Sequence, residues 1–366
     1  MSTLLLPIAD LAGLKRRVRV LAENRPAVYR MVDAAGRVLY VGKARRLRAR
    51  LMTYFRAQYP DDKAARILHA AHDIHWDYQP SEFAALLGEL RMIRKHRPAY
   101  NVSMNRNRRL AFLTISAGPA PHLGVSQRTD QDVRRYGPIP SPGRAREALR
   151  VINDLLGLRD CAEKMPIYFA DQGDLFAEPR RAGCMRHDFR LCTGPCAGFV
   201  AEWAYAGQVA AAAAFLEGRT AQPIDRVVTE MMTASDRGDF ASAVRWRERF
   251  EQLEWLFAAL NRARAAIALL TFVYRDTGDY GDERAYLVRG GVVRAAFPWP
   301  ATPIEREAFR AVVAEEMAQP GPGAGPLPTS TVDETLLLLS WFRRHPEALR
   351  RTESLAAWSE ATAAAS

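Results

Sequence analysis

The spacing of apolar and polar positions changes period several times along the chain, and each change predicts an element. AVYRMV (27–32) and RVLYV (37–41) are short β-rich runs, and the DAAG between them supplies Asp33 and Gly36 for a hairpin turn. A helix is expected directly after Gly42, and a second over DDKAARILHAAH; DIHWDYQP alternates as a strand. SEFAALLGELRMIRKHRP has the spacing of an amphipathic helix, with Ser81 as its N-cap and Pro98 beyond its end. The order hairpin, helix, helix, strand, helix describes a small α/β unit.

Further on, LAFLTIS reads as a strand, YGPIPSPG as a turn-rich connection and REALRVINDLLG as a helix. Residues 203–217 form an alanine-rich helix, and 223–260 two helices hinged near 237–239. LLTFVYR and RAYLVRGGVVRAAF predict a hairpin around Gly290 and Gly291. A helix over 303–318, the breaker PGPGAGP and a terminal helix VDETLLLLSWFRRH follow. There is no tandem repeat. The expected fold class is α+β, in parts covering 14–105, 106–202, 203–260 and 261–366.

With 366 residues, 48% of them hydrophobic, the chain can bury a core in two or three modest domains. Its net charge of +11 is segregated: residues 1–110 hold 22 Lys and Arg against 9 Asp and Glu, a local +13, and the remainder carries −2. A polyanion would therefore meet the N-terminal third. The opening MSTLLLPIADLAGLKRR lacks a charged region before its leucines, which Pro7 stops, so it fits neither a secretory signal nor a transit peptide. No window approaches a membrane span, and the expected location is the cytoplasm.

The charge is densest in LYVGKARRLRARL (39–51), which holds Lys43, Arg45, Arg46, Arg48 and Arg50. Placed on a helix, Ala44, Leu47 and Leu51 share a buried face, and Lys43, Arg50 and Tyr54 fall within about 20° of one another at its margin. Arg45 and Arg48 point elsewhere. A charge run usually means a solvated or DNA-gripping face; a cation at the edge of a core is held by packing and can aim at one phosphate. On the helix after Ser81, Glu89 lies at the seam beside Ile93 while Arg91 and Lys95 point away. That position suits a half-buried ion pair, or one divalent metal shared with phosphate oxygens and water.

All four cysteines, Cys161, Cys184, Cys192 and Cys196, lie in one segment, with 22, 7 and 3 residues between successive members. A reducing compartment argues against two disulfides, and clustering argues against scattered core thiols. The missing CxxC pairs disfavour a zinc module, and an iron-sulfur cluster on four thiolates remains. His69, His72 and His75 have metal-like spacing, but the helix-to-strand change near Asp73 sends His75 away.

Taken together, PAVY ending at Tyr29, YVGK from Tyr40 to Lys43, Arg50, Tyr54 and ELRMIRKHRPAYN from Glu89 to Asn101 resemble the GIY-YIG nuclease domain, in the form found in the UvrC family of bacterial excision repair. Two positions depart from the pattern. AVY stands for GVY or GIY, and Gly88 replaces a bulky apolar residue, at a helix cost of up to about 1 kcal/mol. The resemblance implies that Glu89 holds magnesium or manganese on the scissile phosphate. It makes Tyr40, acidified by Lys43 and the metal, the general base, and gives Arg50 the developing charge. Tyr29, Tyr54 and Asn101 would orient phosphate, water or the site wall.

RYGPIPSPG, GLRDC and RLCTGPC are similar to the UvrC segments around a 4Fe-4S cluster, with a surplus in YFADQGDLFAE before Cys184. The resemblance makes Cys161, Cys184, Cys192 and Cys196 its ligands, in a structural or DNA-sensing role. MMTASDRGDFASAVRWRERFEQLEWL (231–256) resembles the UVR helical hairpin that associates with UvrB, with Ala241 where the family has Glu. Its residues Ala234, Phe240, Ala243, Val244 and Phe250 also fit a plain two-helix core. The likeness covers about 14–257, and the rest is too short for the family's second nuclease and its helix-hairpin-helix pair. The tail reads as a small α+β domain of unassigned role.

The expectation is a GIY-YIG endonuclease with one active site, nicking damaged duplex DNA on the 3′ side of a lesion and docking UvrB through residues 223–257. The rival is a non-catalytic DNA-binding or UvrB-docking adaptor of the same fold. A restriction or homing enzyme would want a sequence-reading module that the cysteine and UVR-like segments do not supply.

Overall fold

The computed structural model describes residues 10–101, 110–128, 133–172, 181–321 and 325–359. They fall into two compact units, one holding the described residues of 10–101, 270–320 and 337–359, the other those of 110–269 and 321–336. The architecture is α+β, as the periodicities predict.

The chain opens with α1 (Leu11–Leu21), β1 (Ala27–Val32), β2 (Val38–Ala44), α2 (Leu47–Tyr54), α3 (Lys63–Ala70), β3 (Asp73–Tyr78) and α4 (Glu82–His96), followed by a 3-10 turn over Ala99–Asn101. The strands form an antiparallel sheet in the order β2-β1-β3. Because β1 is central, AVYRMV is covered on both faces. Tyr29 and Met31 join Val18, Leu47, Leu51, Tyr54 and Ile67 on one side. Val28, with Val41, meets Ala85 of α4 on the other. The expected helix after Gly42 is corrected here. Lys43 and Ala44 continue β2, paired with Val28 and Ala27, and α2 begins only at Leu47. The ladder to β1 takes residues that the cation spacing alone placed on a helix.

The second unit holds β4 (Leu110–Ile115), β5 (Leu123–Ser126), β6 (Arg134–Pro140), α5 (Pro142–Leu156), α6 (Glu202–Leu216), α7 (Gln222–Asp236) and α8 (Phe240–Leu269). Here YGPIPSPG departs from expectation, since most of it is strand. β6 pairs with β4 at the edge of the β5-β4-β6 sheet, with a register shift between Ala111 and Leu113. An edge with a bulge is where a strand tolerates proline. Leu253, Leu256 and Leu260 of α8 enter the core, whereas Met232, Phe240 and Val244 near the α7–α8 turn are 58%, 70% and 52% exposed. Ala234 is buried, so a plain two-helix core does not account for Phe240 and Val244. Of the surplus at 168–178, residues 173–178 lie outside the described residues.

The remaining elements are β7 (Phe272–Asp276), β8 (Arg284–Arg289), β9 (Val292–Pro298), α9 (Pro303–Ala318), α10 (Thr329–Arg344), β10 (Thr352–Glu353) and α11 (Leu355–Ser359), with a sheet in the order β10-β7-β8-β9. This sheet shares a core with α4. Phe83 is fully buried, edge-on to Tyr274 at 5.1 Å and Tyr286 at 4.9 Å, with Trp341 and Phe342 beside it. Among the described residues no helix is long and apolar enough to cross a membrane.

Candidate active site

Strand alternation puts Tyr40 and Gly42 on one face of β2 and Val41 and Lys43 on the other. On the first face Tyr29, Tyr40 and Tyr54 form a triangle of rings with centroids 6.0 to 6.2 Å apart. The hydroxyls of Tyr29 and Tyr54 are 2.9 Å apart, and the Arg50 guanidinium lies 5.5 Å from the centre of the Tyr54 ring. Burial holds the Tyr29 phenol far above the ordinary range, with Tyr40 adding to the shift and Tyr54 and Arg50 opposing it. Burial does the same to Tyr54, reinforced by Tyr29 and Tyr40. Both buried phenols therefore stay protonated. Tyr40, only half-buried, is the one of the three within reach of water.

The space for this triangle comes from Gly42, a residue that the sequence reading left unassigned. A Cβ there would stand 2.5 Å from Cζ and the hydroxyl of Tyr29 and 2.9 Å from Cε1 of Tyr40. The signal was present in the hairpin, because Gly42 is the cross-strand partner of Tyr29.

On the opposite face the Lys43 ammonium lies 3.6 Å from a carboxylate oxygen of Glu82, in the first turn of α4. Its partner is thus a carboxylate, and the alternation separates it from Tyr40. Glu89 is half-buried two turns further along α4. Burial raises its carboxyl's proton affinity, while the Lys43 charge and backbone N–H, and then the Arg50 charge, pull it back. Arg50 is thus felt by the tyrosines and by Glu89 alike. A half-buried carboxylate flanked by cations is a chemically suitable holder for one hard divalent ion shared with phosphate oxygens.

The departure at Gly88 has a packing reason. A Cβ there would come within 3.0 Å of Val28 Cγ2, so the missing side chain lets α4 lie close on β1. Asn101 directs both ends of its amide at one backbone residue: Val41 N–H donates to Oδ1 and Nδ2 donates to the Val41 carbonyl, each at 2.8 Å. It thereby holds β2 at Val41. Arg45, Arg46 and Arg48 are exposed.

The cysteines form a separate neighbourhood in the second unit. Cys192 is buried, Cys161 and Cys196 are half-buried, Cys184 is exposed, and all four are free thiols. Burial pushes the Cys192 thiol up, Cys184 and Cys196 add to the shift, and the Gly194 N–H, 3.4 Å from its sulfur, and Arg186 oppose it. The Tyr205 phenol is pushed up to about 12 by burial, with Cys192 and Cys161 among the further causes. Arg159 Nη1 donates to Cys161 Sγ at 3.5 Å. Sulfur donors with N–H and guanidinium groups aimed at them match the chemistry of a thiolate-held cluster. Among the described residues, however, no three His, Cys, Asp or Glu side chains are gathered as a metal ligand set. The histidines follow that result: His69 stacks on Tyr59 and His75 faces Asp73.

Comparison with known proteins matches two segments of the chain to family models. The model of the UvrC-like GIY-YIG domain matches residues 25–102, and that of the UvrC/Cho excinuclease middle domain matches residues 110–215. UvrABC system protein C of Alcanivorax borkumensis is 34% identical over 233 residues, 63% of this chain and 37% of the relative. That of Alkalilimnicola ehrlichii is 34% identical over 242 residues, 66% of this chain and 38% of the relative. The chain therefore spans less than two fifths of these relatives' length. The magnesium-bound GIY-YIG N-terminal endonuclease domain of UvrC from Thermotoga maritima is 33% identical and covers 25% of this chain and 97% of that one, with a TM-score of 0.22. Residues 25–102 thus match a UvrC-like GIY-YIG domain, and a UvrC/Cho excinuclease middle domain follows it in order over 110–215.

Proposed function

We propose that the protein is a divalent-metal-dependent DNA endonuclease of UvrABC-type excision repair, making one nick on the 3′ side of a lesion. The observation that carries this reading is Arg50 lying within the electrostatic reach of both the tyrosine triangle and Glu89. Glu89 holds the cation, with Lys43 and Arg50 favouring its ionised form. A magnesium or manganese ion bound there supplies Lewis-acid charge at the scissile phosphate. Tyr40, the half-buried one of the three, would act as its phenolate, its own proton passed to solvent beforehand, and take the proton of the attacking water, while Tyr29 and Tyr54 stay protonated and donate. Arg50 balances the charge that grows on the phosphorane oxygens. The exposed Arg45, Arg46 and Arg48 grip backbone phosphates and give binding its salt dependence. The 3′ assignment rests on the family resemblance.

The exposed Phe240 and Val244 support docking of UvrB on the α7–α8 hairpin. One assay tests these points: nicking of a lesion-bearing duplex by the full chain, with magnesium or with EDTA, with and without UvrB, and with the cut mapped. A single metal-dependent nick 3′ of the lesion is expected, with a UvrB effect that Phe240→Ser removes. Binding to the duplex without metal-dependent nicking would leave the adaptor reading in its place.

We also propose a 4Fe-4S cluster on Cys161, Cys184, Cys192 and Cys196, supported by the resemblance of the segments that carry them and by the N–H directed at Cys192; the four thiols are not gathered as a ligand set here, so binding would have to draw them together. When bound it would cross-link the segment between α5 and α6. Protein purified without oxygen should be brown and contain iron and sulfide; colourless protein with one zinc per chain would refute the assignment.

A further inference from the structure

The β7–β8 turn touches the N-terminal domain at two places, and each supports one side of the candidate site. At the first, the Ser81 hydroxyl donates to the buried Asp276 carboxylate. This fixes the hydroxyl rotor, so that Oγ turns a lone pair to the Ala84 N–H, 3.0 Å away, and caps α4. Asp279 N–H donates to the Pro80 carbonyl at 2.8 Å, a second tie at the same helix end. Glu89 follows two turns along this helix.

At the second, the Tyr280 hydroxyl donates to the Asn24 carbonyl at 3.2 Å, and the Arg25 guanidinium lies 4.4 Å from the centre of the Tyr280 ring. The segment held in this way caps α2. Leu47 N–H donates to the Arg25 carbonyl at 3.1 Å, Arg48 N–H to the Glu23 carbonyl at 3.2 Å, and Ala49 N–H to Asn24 Oδ1 at 3.0 Å. With eight residues and no capping side chain at Arg46, α2 depends on such outside partners for its position. Arg50 is the next residue.

We propose that the β7–β8 turn, through Asp276 and Tyr280, is a positioning device that sets α4 and α2, and with them Glu89 and Arg50, relative to each other. This gives the C-terminal sheet a part in the chemistry without contact with DNA or metal, and it rests on the roles of Glu89 and Arg50 proposed above. The same turn reaches both helices, so a change on either arm should register in the site as well as in stability.

The test compares Asp276→Ala, Asp276→Asn, Tyr280→Ala and Tyr280→Phe in the full chain. It reads manganese binding by electron paramagnetic resonance, kcat and KM of nicking, and amide exchange across α2 and α4. Asp276→Ala should weaken manganese binding and speed exchange in the first turn of α4. Asp276→Asn, which keeps an acceptor for Ser81, should restore both. Tyr280→Ala should lower kcat with manganese affinity unchanged and speed exchange at Leu47, Arg48 and Ala49; Tyr280→Phe, which keeps the ring under Arg25, should do so to a smaller extent. A lower melting temperature with exchange in α2 and α4 as in wild type would overturn the proposal. Exchange judges the turn even if the wild type binds manganese without nicking, a result that would refute the endonuclease reading alone.

Discussion

Replacing Glu89 with glutamine is expected to remove metal-dependent nicking while leaving the protein folded and bound to duplex DNA. The expected loss is about three orders of magnitude in rate, since a Lewis acid contributes several kcal/mol and each factor of ten corresponds to about 1.4 kcal/mol. The fold should be no less stable at neutral pH. Burial raises the Glu89 carboxyl above its unfolded value despite Lys43 and Arg50. Folding therefore favours its protonated form; that contribution is complete below the unfolded pKa and is lost as pH rises through the folded one. At neutral pH the ionised side chain is a cost that glutamine does not incur. The same shift should make manganese binding by the wild type weaken on acidification sooner than binding by an exposed glutamate. Nicking rates with and without metal, beside urea unfolding at neutral pH, check both halves. A variant that nicks at the wild-type rate would end the metal assignment.

A single methyl group at position 42 should be nearly as damaging. The new Cβ of Gly42→Ala would sit 2.5 Å from the Tyr29 ring and 2.9 Å from that of Tyr40, and Tyr29 is 1% exposed, so its ring cannot simply swing into solvent. Either the ring turns out of the triangle or β2 moves away from β1. Overpacking of this kind costs about 1–3 kcal/mol. A displacement of about 1 Å in the reacting groups reduces the rate by about 100-fold. Unfolding and nicking should therefore both change, in contrast to Glu89→Gln. Wild-type values for both would show that β2 and its tyrosines adjust freely.

The strands of the N-terminal domain were legible because β1 is covered on both faces and its residues are apolar almost without a break. Tyr29 and Tyr40 were singled out only through the resemblance to the GIY-YIG pattern. Lys43 was misplaced for a local reason: the run GKARRLRARL satisfies a helical wheel, and only pairing with Val28 across the hairpin makes its first residues strand. The prolines of β6 hid a strand in the same way, since the partner that tolerates them lies in another part of the chain. The niche at Gly42 and the close approach at Gly88 are statements about empty space, which composition does not carry. The link from Ser81 to Asp276 spans 195 positions, and no window-based pattern reaches that far. Phe240 and Val244 have helical spacing compatible with a core, and their exposure appears only once the rest of α8 is seen to bury Leu253, Leu256 and Leu260 elsewhere.

The two hydrogen bonds from Asn101 to Val41 carry a meaning outside catalysis. β2 is an outer strand of its sheet, and an outer strand presents unpaired amides that can template a strand from another molecule. Asn101 offers an acceptor and a donor in the spacing of a peptide group and fills that position at Val41. A side chain thus imitates one residue of a missing neighbour strand, and the same amide that holds the strand carrying Tyr40 occupies an edge position at which another molecule's strand could otherwise pair.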